Sequence, residues 1–222
     1  MKRILITGAG SGLGKELALS YCRLGHNVIL LGRTRSKLEI VKNKIQQSRG
    51  KVEVAICNIS SEVDVQKTVD ELLTEGNIDL LINNAGVGYF GPLQNYQLPQ
   101  INEMIDTNIK GTIYLSKALL PHFLKQNRGK IMNIISTAGQ KGKVNESVYV
   151  ASKFAIRGFT ESLVKELEQT PIIVTAVYMG GMDTPFWANT NHIKDQSRLK
   201  NPKEIAKIIL ENDHNQNEIF IN

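Results

Sequence analysis

A chain of 222 residues, 41% of them hydrophobic, can bury one sizeable α/β core and carries no linker or low-complexity stretch to divide it into several. Its net charge of +6 comes from 27 lysines and arginines against 21 acids, but these bases are dispersed along helical patterns without an arginine-rich arm, which argues against a nucleic-acid partner. No apolar run reaches the roughly 18 residues of a membrane span, and a strand signal begins within a few residues of Met1, so no membrane association, no leader and a cytoplasmic location are expected.

Ile4-Leu5-Ile6 is a short buried-strand signal that runs into Thr7-Gly8-Ala9-Gly10-Ser11-Gly12-Leu13-Gly14. Leu17, Ala18, Tyr21 and Leu24 follow at helical spacing, and Gly25 stands where that helix ends. Strand, glycine-rich turn and helix form an entry for a dinucleotide, because glycines let the backbone approach a pyrophosphate whose charge meets free amides at the helix N-terminus. The kinase-type phosphate loop is excluded, since counting back from Gly14-Lys15 puts Ala9 at its first glycine and Glu16 at its hydroxyl. The Gly-x-Gly-x-x-Gly spacing fails too, and Thr-Gly-x-x-x-Gly-x-Gly is the pattern that fits.

Val28–Leu31 predicts a second strand, ending in Gly32-Arg33-Thr34-Arg35 with Lys37 close by. Folds of this kind place an acid here to hold a ribose 2′-hydroxyl. This chain has none, and the guanidinium of Arg33 suits a 2′-phosphate instead. Ser36 and Glu39 predict a capping box for a helix with Leu38, Val41 and Ile45 on one face, closed by Gly50. Further strands are predicted at Val52–Cys57, Ile78–Ile82, Ile131–Ile135, Ile172–Val177 and Ile219–Ile221. Strands alternating with helices predict an α/β fold with a mostly parallel seven-stranded sheet covered on both faces. Cys22 and Cys57 are expected to be buried thiols, and the histidines show no zinc-ligand spacing, so no metal is expected.

Tyr149 and Lys153 stand at i and i+4, which puts phenol and ammonium on one helix face. A tyrosine titrates near pKa ~10, and a unit charge at about 4 Å with an effective dielectric near 20 is worth ~4 kcal/mol, enough to bring the phenol toward neutral pH. Ser136 precedes the pair, at the end of an apolar run.

Together with Asn83-Asn84-Ala85-Gly86, Asn108 and Gly180-Gly181-Met182-Asp183-Thr184, these motifs occur in an order that resembles the short-chain dehydrogenase/reductase family, in its shorter single-domain branch. The resemblance spans the whole chain and implies one Rossmann-type, doubly wound domain over residues 1–222. It implies a catalytic set of Asn108, Ser136, Tyr149 and Lys153. Tyr149 would exchange a proton with the substrate oxygen, Ser136 would hold that oxygen, and Lys153 would lower the tyrosine's pKa and bind the nicotinamide ribose. Asn108 would support a helix irregularity. Cofactor binding falls to Gly8, Ser11, Gly12, Leu13, Gly14, Arg33, Asn58, Asn84, Ala85, Gly86 and Thr184, besides Tyr149 and Lys153. Arg immediately after the second strand goes with NADP(H) in the family, so NADP(H) is expected over NAD(H).

Two positions depart from the family pattern: Asn58 replaces an aspartate near the adenine, and Met179 replaces a proline before the threonine loop. A short lid is expected over about 185–201, with Phe186 and Trp187 as substrate contacts and Gln140, Val87 and Tyr89 as further lining. The expected activity is hydride transfer between NADP(H) and a small, neutral carbonyl or secondary alcohol. The alternative is a catalytically silent NADP(H)-binding regulator. A nucleotide-sugar epimerase would need a second domain that the chain has no room for. By the same resemblance, a homodimer or homotetramer is expected, pairing the helices near Asn108–Lys125 and Tyr149–Glu168.

Overall fold

The computed structural model describes residues 1–188, 190 and 192–221. Seven strands, β1 (Arg3–Thr7), β2 (Asn27–Gly32), β3 (Val52–Ile56), β4 (Leu80–Asn83), β5 (Gly129–Ile134), β6 (Ile172–Met179) and β7 (Glu218–Ile221), form one sheet in the order β3-β2-β1-β4-β5-β6-β7. Every pairing is parallel. The central strands are apolar on both faces because helices cover both, and all five residues of β1 are buried. Winding proceeds outward from β1 in one direction through β3, then in the other from β4 to β7. The crevice where the two halves diverge, at the carboxyl ends of β1 and β4, is where such sheets bind ligands.

One layer consists of α1 (Gly12–Arg23), α2 (Arg35–Gln47) and α7 (Pro202–Glu211), with Leu17, Val41 and Ile209 fully buried against Ile4, Ile6 and Leu30. The other consists of α3 (Glu62–Thr74), α5 (Gly111–Lys125) and α6 (Ser147–Glu166), with Val69, Leu119 and Phe123 against Leu5, Ile29 and Ile131. A short α4 (Leu98–Met104) continues into α5 through a six-residue π-helical segment, Ile105–Lys110. None of the helices among the described residues is long and apolar enough to cross a membrane.

Local structure differs from the sequence expectations at several points. The capping box at Ser36 does not form: the N-cap of α2 is Thr34, and Glu39 pairs instead with Arg35 (3.7 Å) and Lys42 (3.5 Å). The left-handed residue after α2 is Arg49 (φ 57°), not Gly50, whose lack of a side chain is needed because a Cβ would lie 2.2 Å from Cys22 Sγ. Ile78 and Cys57 lie just outside β4 and β3, although both are buried. Strand β6 runs two residues further than expected, since Met179 carries the N–H that proline lacks and pairs in register with Ile221.

Candidate active site

A cleft of about 480 Å³ opens over the carboxyl ends of the strands and is lined from the glycine loop through to Trp187, within the usual size range of small-molecule sites. Thr7, buried at the end of β1, joins two of the segments that line it. The Thr7 hydroxyl oxygen accepts hydrogen bonds from the backbone N–H of Asn84 (2.9 Å) and Ala85 (2.8 Å), while the Asn84 amide donates to the Thr7 carbonyl (2.9 Å). The glycine loop is thereby clamped to the segment after β4. Gly14 does not line the cleft; it lies inside α1, where a Cβ would stand 2.5 Å from both Asn84 Nδ2 and Gly8 O. Its part in any binding is to permit this close approach.

Ser11, Gly12 and Leu13 do line the cleft at the start of α1. Gly12 turns the chain with φ +51°, the Ser11 side chain makes no capping bond, and the first turn of α1 carries no acid. Open amide N–H groups facing a cleft, with no carboxylate competing, fit a diphosphate. At the far end Leu31, Leu38, Cys57 and Ile59 provide apolar walls, with Gly32, Arg33, Thr34 and Lys37 on one side and Asn58 and Ser60 on the other. Asn58 is exposed, and its side-chain oxygen accepts from Ser60 N (3.3 Å). Arg33 lies 3.3 Å from Glu103 of α4. The residues present therefore fit a dinucleotide, with the open amides at the start of α1 suited to its diphosphate.

Ser136, Tyr149 and Lys153 come together at the opposite end, from the tip of β5 and the first turns of α6. Ser136 adopts φ +118°, a conformation rare for a residue with a Cβ, and caps the 3-10 turn 137–139 by accepting from Ala138 N (3.2 Å). Backbone strain of this kind is characteristic of functional sites. The Lys153 ammonium stands 5.8 Å from the centre of the Tyr149 ring and donates to the Ile134 carbonyl (3.1 Å).

The electrostatics differ from the expectation that Lys153 sets the tyrosine's acidity. Burial pushes the Tyr149 phenol well above its ordinary value, a hydrogen bond from Ser136 pulls it down, and the Glu146 charge raises it further. Burial also pushes Lys153 down to about 8. Desolvation penalises the charged form of each group and is the largest cause of both shifts.

Asn108 is 2% exposed and does not touch the cleft. Its side-chain oxygen accepts from Val87 N (2.8 Å), and its amide donates to Val87 O (2.9 Å) and Ser152 Oγ (3.0 Å). It belongs to the π-helical segment, the helix irregularity expected there, and ties the loop after Gly86 to α6. Gly86 lets that loop pass close, since a Cβ would be 3.3 Å from Asn108 Oδ1.

Over Tyr149 sits a group of rings. Phe90 meets Tyr149 edge-on (5.5 Å between centroids) and stacks on Trp187 (5.0 Å) and His192 (4.8 Å), while Phe186 lies 5.7 Å from Tyr149. His192 Nε2 is 2.9 Å from the buried Glu146 carboxylate, fastening the segment after β6 to the start of α6. That segment is closed at its base by Met182 pairing with Lys200, with Asp183 N donating to Lys200 O (2.9 Å). Asn189 and Asn191, within the expected lid, lie outside the described residues. Thr184, Phe186, Trp187 and Val87 line the cleft, whereas Gln140 is exposed and does not, because it ends the 3-10 turn after Ser136. Tyr89 turns its hydroxyl to Glu103 (2.6 Å). Thr7 was read only as the first residue of the glycine motif, and Phe90, Glu146, Ser152 and His192 were given no part in the site, since each acts through a partner at least three residues away that no short motif records.

Residues 2–195 match the short chain dehydrogenase family. An uncharacterized oxidoreductase of Staphylococcus aureus (strain MRSA252) is 36% identical over 214 residues, 94% of this chain and 89% of the relative. A metagenomic short-chain oxidoreductase in complex with NADP superposes with a TM-score of 0.86 at 29% identity, covering 99% of this chain and 96% of that one. The 3-ketoacyl-(acyl-carrier-protein) reductase of Brucella melitensis complexed with NADH gives 0.90 at 26% identity, covering 99% and 96%. With a matching family over most of its length, a relative 36% identical over 94% of the chain and an all-parallel seven-stranded sheet, the chain belongs to the short-chain dehydrogenase family of oxidoreductases.

Proposed function

We propose that this protein is an NADP(H)-dependent oxidoreductase that interconverts a small, neutral carbonyl compound and the corresponding secondary alcohol, with Tyr149 as the general acid and base. The observation that carries the reading is that Ser136, Tyr149 and Lys153 close one end of the cleft whose other end is lined by the start of α1 and Arg33. When bound, the nicotinamide supplies or accepts the hydride. In reduction, the Tyr149 O–H donates its proton to the carbonyl oxygen, while the Ser136 hydroxyl donates a hydrogen bond to the same oxygen as negative charge develops there. Because burial keeps the phenol protonated, the acid form needed for reduction prevails at neutral pH. Alcohol oxidation needs the phenolate and is expected to gain rate as pH rises. Lys153, lowered to about 8 by burial, holds an exchangeable proton beside the phenol. Asn108 fixes the loop that borders it.

The cofactors found with the related structures are mixed, NADP in one and NADH in another, so the preference for NADP(H) rests on this chain's own residues. Strand β2 ends in Gly32 without an acid, and Arg33 and Lys37 line the adenosine end of the cleft. Phe90, Phe186 and Trp187 favour an apolar substrate body. By likeness to the family, the protein works as a homodimer or homotetramer.

A panel of ketones, aldehydes and secondary alcohols with NADPH and NADP⁺ tests the activity. Tyr149→Phe is expected to lower kcat about 10²- to 10⁴-fold, the usual range for a general acid, with the Kd for NADPH unchanged. Substantial turnover in that variant would overturn the role of Tyr149. Higher kcat/KM with NADH than with NADPH would overturn the cofactor preference, and tight NADPH binding with no turnover across the panel would favour the silent regulator.

A further inference from the structure

The strongest anion-binding side chain at the adenosine end is already engaged. Arg33 Nη2 stands 3.3 Å from Glu103 Oε1, and the second oxygen of the same carboxylate accepts a 2.6 Å hydrogen bond from the Tyr89 hydroxyl. The Tyr89 backbone N–H in turn rests on Met104 Sδ (3.5 Å), so the loop after Gly86 and the end of α4 hold Glu103 from two sides. The acid absent from the end of β2 is thus replaced by one from a different element, 70 residues away in sequence. Its position differs in one essential respect. It lies against the guanidinium and does not line the cleft, so it meets Arg33 and not a ribose.

We propose that Glu103 is a specificity-determining residue that competes with the cofactor's 2′-phosphate for Arg33 and so moderates the preference for NADP(H) over NAD(H). The inference rests on the NADP(H) reading above. A phosphomonoester carries about 1.5 to 2 negative charges at neutral pH, against one on the carboxylate, and presents several oxygens to the planar guanidinium. Phosphate therefore wins the exchange, but only after the Arg33–Glu103 pair has been given up. NAD(H) brings no group to that place and leaves the pair intact. The competition thus weakens one cofactor alone.

Isothermal titration of NADP⁺ and NAD⁺ into the full chain tests this directly, without turnover. Glu103→Gln keeps an oxygen to accept from Tyr89 and loses the charge that holds Arg33. It is expected to tighten NADP⁺ about two- to five-fold, the range given by an exposed ion pair, and to leave NAD⁺ unchanged. Arg33→Ala is expected to weaken NADP⁺ about tenfold or more and spare NAD⁺. In the double variant the gain from Glu103→Gln should vanish, because the competition runs through Arg33. If Glu103→Gln tightens both cofactors equally, or neither, while Arg33→Ala still weakens NADP⁺, the competition is wrong and the NADP(H) reading stands. A full gain persisting without Arg33 also overturns it, since Glu103 then acts by simple repulsion. If Arg33→Ala leaves NADP⁺ binding unchanged, the NADP(H) reading falls, and the competition with it.

Discussion

Lys153 is a residue the fold holds at a cost. Its ammonium is buried with one carbonyl acceptor, Ile134 O, and burial lowers its pKa from the ordinary lysine value to about 8. Below pH 8 both folded and unfolded chains carry this proton, and the folded state bears the full desolvation penalty. Between pH 8 and about 10.4, the free lysine value, the unfolded chain binds more protons than the folded one, so this group's contribution to stability rises with pH. Lys153→Met, which fills a similar volume without charge, is therefore expected to melt at higher temperature than the wild type at pH 7, with the gap closing toward pH 10, and to lose turnover. Differential scanning fluorimetry of the two proteins across that range checks it. A gap independent of pH would contradict the argument. Comparing with the variant isolates Lys153 from Cys22 and Cys57, whose thiols burial pushes up. Lys153 and Tyr149 were legible in the sequence because a helix turns i, i+4 spacing into proximity, whereas Ser136, on a different element, was expected beside them only through the family resemblance. The Glu146–His192 and Arg33–Glu103 pairs were not, because their partners are 46 and 70 residues apart and meet only when the sheet has brought its loops to one end.

The elements were legible to the extent that hydrophobic runs define them. Buried parallel strands read as continuous apolar stretches, and all seven were foreseen, with no end displaced by more than two residues. Helix ends were less legible, since Ser36 carries capping chemistry yet Thr34 occupies the cap position. The π-helical turn before α5 has no periodic signature and is held by tertiary bonds of Asn108 and by Thr112 Oγ1 donating to Asn108 O (3.0 Å). The fastening of the last helix and strand was equally hidden. Lys130 of β5 reaches Asp213 (2.6 Å) and the His214 carbonyl, and Tyr21 of α1 donates to the other Asp213 oxygen (2.7 Å). Both charged side chains are nearly buried, 6% and 9% exposed. Asp213→Ala leaves a buried ammonium without its counter-charge, which costs about 3–5 kcal/mol. Urea titration should show a lower midpoint at unchanged m-value. A loss below about 1 kcal/mol, the scale of an exposed pair, would mean that α7 and β7 are secured by packing alone.

At the scale of the whole molecule, the order β3-β2-β1-β4-β5-β6-β7 explains why distant motifs share one cleft: the glycine loop, Arg33, Asn58, the run Asn84, Ala85 and Gly86, Ser136 and Thr184 each follow the carboxyl end of a strand, a parallel sheet aligns those ends, and the start of α6 brings Tyr149 and Lys153 to the same side. Alternation of strands and helices made the layers readable from sequence, whereas assembly leaves no such periodic mark. The surface now offers a specific place to test it. On α6, Lys153 is buried while the next residue, Phe154, is 41% exposed, and on α5 Leu124 is 44% exposed. These are the two helices that would meet across a two-fold axis, where each apolar group would face a copy of the same surface. A charge placed at Phe154 would then be buried against its own symmetry mate or a neighbouring apolar face, with no partner to compensate it. Light scattering at micromolar concentration is expected to give a mass of two or four chains for the wild type and a smaller species for Phe154→Glu. Circular dichroism should be unchanged in the variant, because Phe154 points away from the α6 core face. A wild-type monomer under those conditions would contradict the homo-oligomer, and a wild-type oligomer untouched by Phe154→Glu would move its interface away from α6.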